Sequence, residues 1–301
     1  MKKMSILFCL VCAIFLIAPH SHGQVPFPDR TGFGGQGFGS RDFVGEAIAR
    51  MSRTVEDMDS EPTLEDAHFL GRAVAAHIFA LHRPYNQNPE LTRYINKILQ
   101  TLVINSSRPA AFRGYFVVVL DTPEFNAFAS PGGHIFLTRG LVEAATSEDM
   151  LAAVIAHELA HVILDHGLSM IAAMSFHNEA AAVAGRAADF AGNTPQAARL
   201  MSFRDSVSVV VDALVRSGFS REQEFAADRK AVEILVASGY NPRALQDMLR
   251  ILQQRQGSNT GGFFDTHPPP DERIRNIEEA IRLHRVSDTS SHRQARFANS
   301  R

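Results

Sequence analysis

The stretch AAVIAHELAHVILDHG, residues 152–167, decides how this chain is read. Ala152, Val154, Ile155, Leu159, Val162 and Ile163 surround a helical period rather than forming one narrow stripe, which predicts a buried helix. Set into it are His157, Glu158 and His161, the pattern H-E-x-x-H. Histidines at i and i+4 stand about 40° apart around a helix, so both imidazoles leave one face a turn apart. That spacing lets two ring nitrogens reach one zinc ion at roughly 2.0–2.1 Å. Glu158 is rotated about 100° from His157. Its carboxylate therefore falls beside a metal rather than on it, where it can take a proton from an activated water and pass it on. With 13 His and 16 Glu in the chain, chance placement gives about 0.03 such matches. The pattern is specific.

A zinc site that does chemistry wants a third protein ligand and an open position. The candidate lies in SREQEFAADRKAVEIL, residues 220–235, where Glu224 and Asp228 are again i and i+4. Glu224 is expected to bind the metal, with Glu222 a weaker alternative because it faces well away from Glu224 on the helix. Asp228 is expected to accept the far N–H of a metal-bound imidazole, fixing its tautomer.

Working outward, Thr63-Leu64-Glu65-Asp66 opens a helical pattern that runs to about Leu81. Pro84 stops it. Pro89 then opens a second helix to about Ile104, with Leu91, Ile95, Ile98 and Leu102 on one face. A continuous β-prone run, Tyr115–Leu120, follows, then a short mixed run, Phe125–Ala129, and a second β-prone run, His134–Thr138, after Pro131-Gly132-Gly133, which together predict a small sheet of about three strands. From Ser147 the chain reads as almost wholly helical, broken near Gly167, residues 192–195, Gly218, Gly239 and residues 257–262. The expected fold is α+β, mainly α, with a small sheet packed against the H-E-x-x-H helix. The remaining histidines, His68, His77, His82, His134, His166, His177, His284 and His292, show no second ligand at a telling spacing and read as surface or core residues. His166, near the end of the zinc-helix pattern, is placed where a positive charge suits the helix dipole.

Composition narrows the class. The chain has 301 residues, 45% hydrophobic, with 30 Lys+Arg against 32 Asp+Glu and a formal net charge of −2. There is no large positive field, so nucleic acid is not an expected partner. Residues 1–23, with Lys2, Lys3, an apolar run and Ser21-His22-Gly23, have the layout of a cleaved secretory signal peptide; an uncleaved inner-membrane anchor facing the periplasm is the alternative. Both cysteines, Cys9 and Cys12, lie inside this segment, so thiol chemistry is not expected in a mature chain. Residues 24–44 are Gly-rich and predict a flexible tether. Residues 45–286 then form the folded domain, with no further membrane span, and residues 287–301 a loose polar tail. The expected compartment is the periplasm.

With these residues in place, the chain resembles the gluzincin zinc metallopeptidases of the CAAX prenyl protease, HtpX and periplasmic β-barrel assembly-enhancing protease family. H-E-x-x-H is followed by E-x-x-A-D at 224–228. NAFASPGGHIFLTRGL (126–141) resembles the family's edge strand, SREQEFAAD (220–228) its third-ligand segment and THPPPDERI (266–274) its late T-H-P…R segment. The likeness spans about 65 to 285. It implies one zinc ion held by His157, His161 and Glu224, with Glu158 as general base and then acid. It implies substrate held along Asn126, Ala127, Phe128 and Ala129 by strand addition. Arg273 would face the oxyanion of a tetrahedral intermediate or pair with an acidic neighbour, and His267 would close the site as a gating fourth ligand. The expected activity is endopeptidase cleavage of unfolded or extended polypeptides, such as misfolded or unassembled envelope proteins. The alternative is a zinc-containing holdase or assembly factor. An assembly machine of the outer membrane is an expected partner by likeness only, because the helical repeats of the assembly-enhancing protease have no counterpart in this sequence.

Overall fold

A computed structural model of the chain describes residues 63–170, 218–256, 267, 270–285 and 291–300. The expected signal segment, the tether and the helical reading of 171–217 lie outside the described residues. All described residues belong to one of two units, Pro62–Phe176 with Val207–Arg301. Helix α1 spans Leu64–Leu81 and α2 spans Pro89–Ile104. The side chain of Asn88 caps α2 by accepting the Leu91 N–H at 3.0 Å, and Pro89 supplies a first helical residue that needs no donor. Ile95, Ile98, Leu99, Leu102 and Val103 bury one face of α2, at the three- and four-residue spacing of an amphipathic helix.

Strands β1 (Phe116–Leu120), β2 (Ala127–Ser130) and β3 (His134–Thr138) form one sheet in the order β1-β3-β2. β1 runs parallel to β3 and β2 antiparallel to it, with Val118 and Phe128 both opposite Phe136. β2 is thus an edge strand. Its turn into β3, Pro131–Gly133, sits hard against α1. A Cβ on Gly71 would lie 1.8 Å from the Pro131 carbonyl oxygen, and Gly132 adopts φ 76°, where an added Cβ would lie 2.4 Å from the Cα of His68. Only glycine fits either place. The Ser130 hydroxyl donates to the Gly71 carbonyl at 3.3 Å, fastening the same junction.

Thr138 ends β3 and caps the short helix α3 (Arg139–Ala144), accepting from the Leu141 N–H. Helix α4, Glu148–Ile163, then carries the H-E-x-x-H pattern and is buried at every position but Met150. Ser147 caps it and Glu148 and Asp149 sit in its first turn, the sign of charge that a helix N-terminus favours. Around it pack β2, β3, α2 and the later helices α5 (Arg221–Ala237) and α6 (Arg243–Gln256), while α7 (Pro270–Ile281) packs on α5 and α6. A capping box between Ser220 and Gln223 fixes the start of α5. The fold is the mainly helical α+β arrangement that the sequence implies.

One expectation fails. The tail was expected to be loose from 287 onward, yet Ser291–Asn299 form a helix, α8, against α4. Its arginines are donors to buried acids. Arg296 reaches both Glu148 oxygens at 3.0 and 2.6 Å, and Arg293 reaches Asp149 at 3.2 Å and the Gly239 carbonyl at 3.0 Å. Tyr94 and Tyr240 hydroxyls complete the shell of Glu148 at 2.8 and 3.0 Å. The polarity that suggested a free tail is what docks it. No helix among the described residues is long and apolar enough to cross a membrane.

The turn before β3 gives a direct test of this packing. Gly71→Ala should destabilise the protein by about 2 kcal/mol or more, because backbone rather than a flexible side chain must move. Urea unfolding measures it; an unchanged midpoint would mean that α1 does not approach the Pro131 turn this closely.

Candidate metal centre

Helix α4 delivers His157 and His161 from one face, and α5 delivers Glu224 and Asp228 from one face toward them. All four are at most 1% exposed. The two Nε2 atoms are 3.1 Å apart. Glu224 Oε2 lies 3.4 Å from His157 Nε2, and Glu224 Oε1 lies 3.4 Å from His161 Nε2. Donors on a tetrahedral zinc with bonds of 2.0–2.1 Å are about 3.3 Å apart. The two ring nitrogens and the Glu224 carboxylate therefore already stand at the spacing of a zinc site. His267, just before α7, completes a buried group of four whose donor atoms all lie within 4.8 Å of one another. Its Nδ1 is 2.7 Å from Glu224 Oε1, a hydrogen-bond distance. Glu222 is exposed, so it takes no part.

Behind these residues a second set fixes their orientation. Asp228 Oδ1 is 3.0 Å from His157 Nδ1, which leaves Nε2 as the nitrogen with a free lone pair. Arg273 is fully buried and donates to both Asp228 oxygens, at 2.9 and 2.7 Å, and its Nη1 is 3.3 Å from Glu224 Oε2. Of the two arrangements open to Arg273 from sequence, the structure has the acidic pair. Two further residues join them. His166 Nδ1 lies 2.9 Å from His161 Nδ1, and the Phe219 ring stacks on His161 at 4.1 Å and 20°. His166 is only 7% exposed, and burial pushes its pKa down.

The electrostatics suit a cation. Burial and Arg273 act to lower the His157 pKa, but hydrogen bonds to Asp228 and Glu224 push it up to about 9. Burial drives the adjacent His161 down to about 3. The two Nε2 atoms face each other at 3.1 Å with the Glu224 carboxylate 3.4 Å from each, a donor set that favours a cation among them. Burial alone would raise Glu224, yet His267, Arg273 and the two histidines hold it well below the usual carboxylate range. Asp228 is likewise held down against burial, chiefly by the charge of Arg273.

Glu158 differs from these acids. It is fully buried, neither carboxylate oxygen has a hydrogen-bond partner among the described residues, and burial pushes its pKa up. An orphaned buried carboxyl is costly. Next to the His157, His161 and Glu224 donor group it fits a group kept for proton transfer.

Strand β2 borders this centre. The Thr138 N–H donates to the Asn126 carbonyl at 3.0 Å. By alternation Phe128 and Ser130 bond to β3, whereas Ala127 and Ala129 aim their amides away from it, on a strand whose four residues are all buried. The Asn126 side chain caps the Ala127 N–H at 2.9 Å. Ala129 is left facing outward, and it shares a small cavity with Pro131, His161, Leu168 and Phe219.

This fold and donor set define the class: residues 89–281 match the family model Peptidase family M48. The chain belongs to that family of metallopeptidases, for which the bound metal is typically zinc. The chain is 29% identical over 197 residues to the Beta-barrel assembly-enhancing protease of Escherichia coli (strain K12), covering 64% of this chain and 39% of that protein. It is 28% identical over 190 residues to the Mitochondrial metalloendopeptidase OMA1 of Schizosaccharomyces pombe, covering 62% and 52%. It is 29% identical over 163 residues to the Metalloprotease YcaL of Escherichia coli (strain K12), covering 54% and 61%. The matches thus span roughly two-fifths to three-fifths of these relatives.

The orienting role of Asp228 can be measured without an activity assay. Asp228→Asn keeps the volume but removes the charge behind His157, and zinc affinity by chelator competition should fall about tenfold or more. An affinity equal to the parent's would place the control of His157 elsewhere.

Proposed function

We propose that this chain is a zinc-dependent endopeptidase that acts on extended segments of misfolded or unassembled exported proteins. The observation that carries the reading is the convergence of His157 Nε2, His161 Nε2 and the Glu224 carboxylate beside the unpartnered carboxyl of Glu158. One zinc ion held by these three residues would supply Lewis acidity, polarising the scissile carbonyl and acidifying a water. Glu158 takes the proton of the attacking water and returns it to the leaving amine. Its raised pKa brings it closer to neutrality, where a group serves best as base and then acid. Asp228 holds His157 in the tautomer that binds through Nε2, and Arg273 holds Asp228. Arg273 acts through another residue and is a positioning group.

Substrate selection follows from β2. A peptide added along the side of β2 away from β3 would meet the amide and carbonyl of Ala129 and pass the metal group; Ala129 is buried in this structure, so that side must open to admit it. Because this capture uses backbone, it favours extended chain over folded chain and is broad in sequence. Asn126, Ala127 and Phe128 then shape the strand rather than hold substrate. Export rests on the signal-like residues 1–23 and, with them, the periplasm is the proposed compartment. A link to outer-membrane assembly is part of the proposal through the name of one relative alone.

Glu158→Gln tests the activity. Cleavage of an unfolded casein-type substrate should fall by about a thousandfold or more, with zinc binding and capture of unfolded chain retained. A variant that cuts as well as the parent would contradict the assignment. A parent that captures but never cuts would support the holdase alternative instead.

His267 gives that alternative its support, since it stands in the buried group of four that could hold the metal. We assign it as a gate that leaves the site when substrate arrives. His267→Ala should raise the cleavage rate, by roughly tenfold if the open form is a tenth of the parent population. A rate equal to or below the parent's would remove the gate.

A further inference from the structure

His157 has a carboxylate to set its tautomer, and His161 has none: the atom nearest its Nδ1 is Nδ1 of His166 at 2.9 Å. Two imidazole nitrogens at that distance form one N–H···N bond, so one donates and the other accepts. The Nε2 of His161 faces the ligand group, 3.1 Å from His157 Nε2 and 3.4 Å from Glu224 Oε1. Its proton must then be on Nδ1, which makes His161 the donor and His166 Nδ1 the acceptor.

The fold presents His166 for this purpose. α4 ends at Ile163, and Asp165 turns the chain with φ 53°. Arg108 binds both Asp165 oxygens, at 2.8 and 2.5 Å, and the Val162 carbonyl at 3.2 Å. That clamp fixes the turn and sets the next residue, His166, under the ring of His161. From the other side Phe219, just before the Ser220 cap of α5, stacks on the same ring at 4.1 Å. Hydrogen bond and stack together fix both tautomer and plane.

We propose that His166 is a positioning residue for the metal centre, holding the His161 imidazole with its Nε2 lone pair aimed at the ion. This inference rests on zinc binding by His157, His161 and Glu224. Asp228 does the same for His157 with a carboxylate, and His166 does it with a ring nitrogen.

The test compares two variants by zinc affinity, using a chromophoric chelator, with thermal unfolding of the zinc-free proteins alongside. His166→Leu keeps bulk but leaves the His161 Nδ1–H buried without an acceptor, and zinc should bind about tenfold or more weakly. His166→Asn places an oxygen near the lost Nδ1 and should restore affinity to within about threefold of the parent. Equal affinity for His166→Leu and parent overturns the proposal, as does a His166→Asn variant as weak as His166→Leu. Should His166→Leu fail to fold, histidine nitrogen NMR of the zinc-loaded parent decides: a bare Nδ1 on His166 is expected, and a proton there overturns the assignment. A parent that binds no zinc overturns the metal reading itself, a result distinct from either.

Discussion

The carboxylate of Glu224, from one helix, stands 3.4 Å from each of two imidazoles on another, in a space closed to solvent. Everything else in the centre answers the electrostatic problem that this creates. A buried carboxylate facing two buried rings is unfavourable unless a cation lies among them. The guanidinium of Arg273, 3.3 Å from Glu224 Oε2, supplies part of that positive charge, and a zinc ion held by the three residues would supply the rest. Arg273 therefore belongs to the centre's charge balance as well as to its geometry: it is paired bidentately with Asp228 and touches Glu224.

The scaffold makes this arrangement rigid. α4 is packed by the sheet on one side and by helices on the others, and its first turn is tied to α8 through Glu148 and Asp149. A helix held at both ends cannot slide to relax a strained ligand set. The far end is held by Arg108 on Asp165 and the Val162 carbonyl. The same clamp brings His166 beneath His161, so the stop of the zinc helix and the orientation of its second histidine are one structural feature.

Much of this was legible in the sequence, and for a physical reason. Within a helix, spacing is geometry, so His157 with His161 and Glu224 with Asp228 could be set on common faces before any coordinates. The strands near the Pro131 turn were legible from β-prone runs around a Gly-Gly pair. His267 was reachable only through its family resemblance, because a residue before three prolines has no period to place it. His166 and Phe219 were missed. Each lies just outside a helix end, where the 3.6-residue period stops predicting direction; the signal that could have found His166 is a third histidine five residues past the second. The α8 helix was misread because its polar residues find partners far away in sequence, Arg296 on Glu148 above all.

The most direct measurement is zinc K-edge X-ray absorption on the resting parent protein and on Glu224→Gln. The account predicts one zinc per chain in the parent, in a shell of nitrogen and oxygen donors near 2.0–2.1 Å that includes at least two imidazoles. In Glu224→Gln the metal should be lost or its shell rearranged. Zinc bound identically in both proteins, or a parent with no zinc bound under metal-replete conditions, would contradict it.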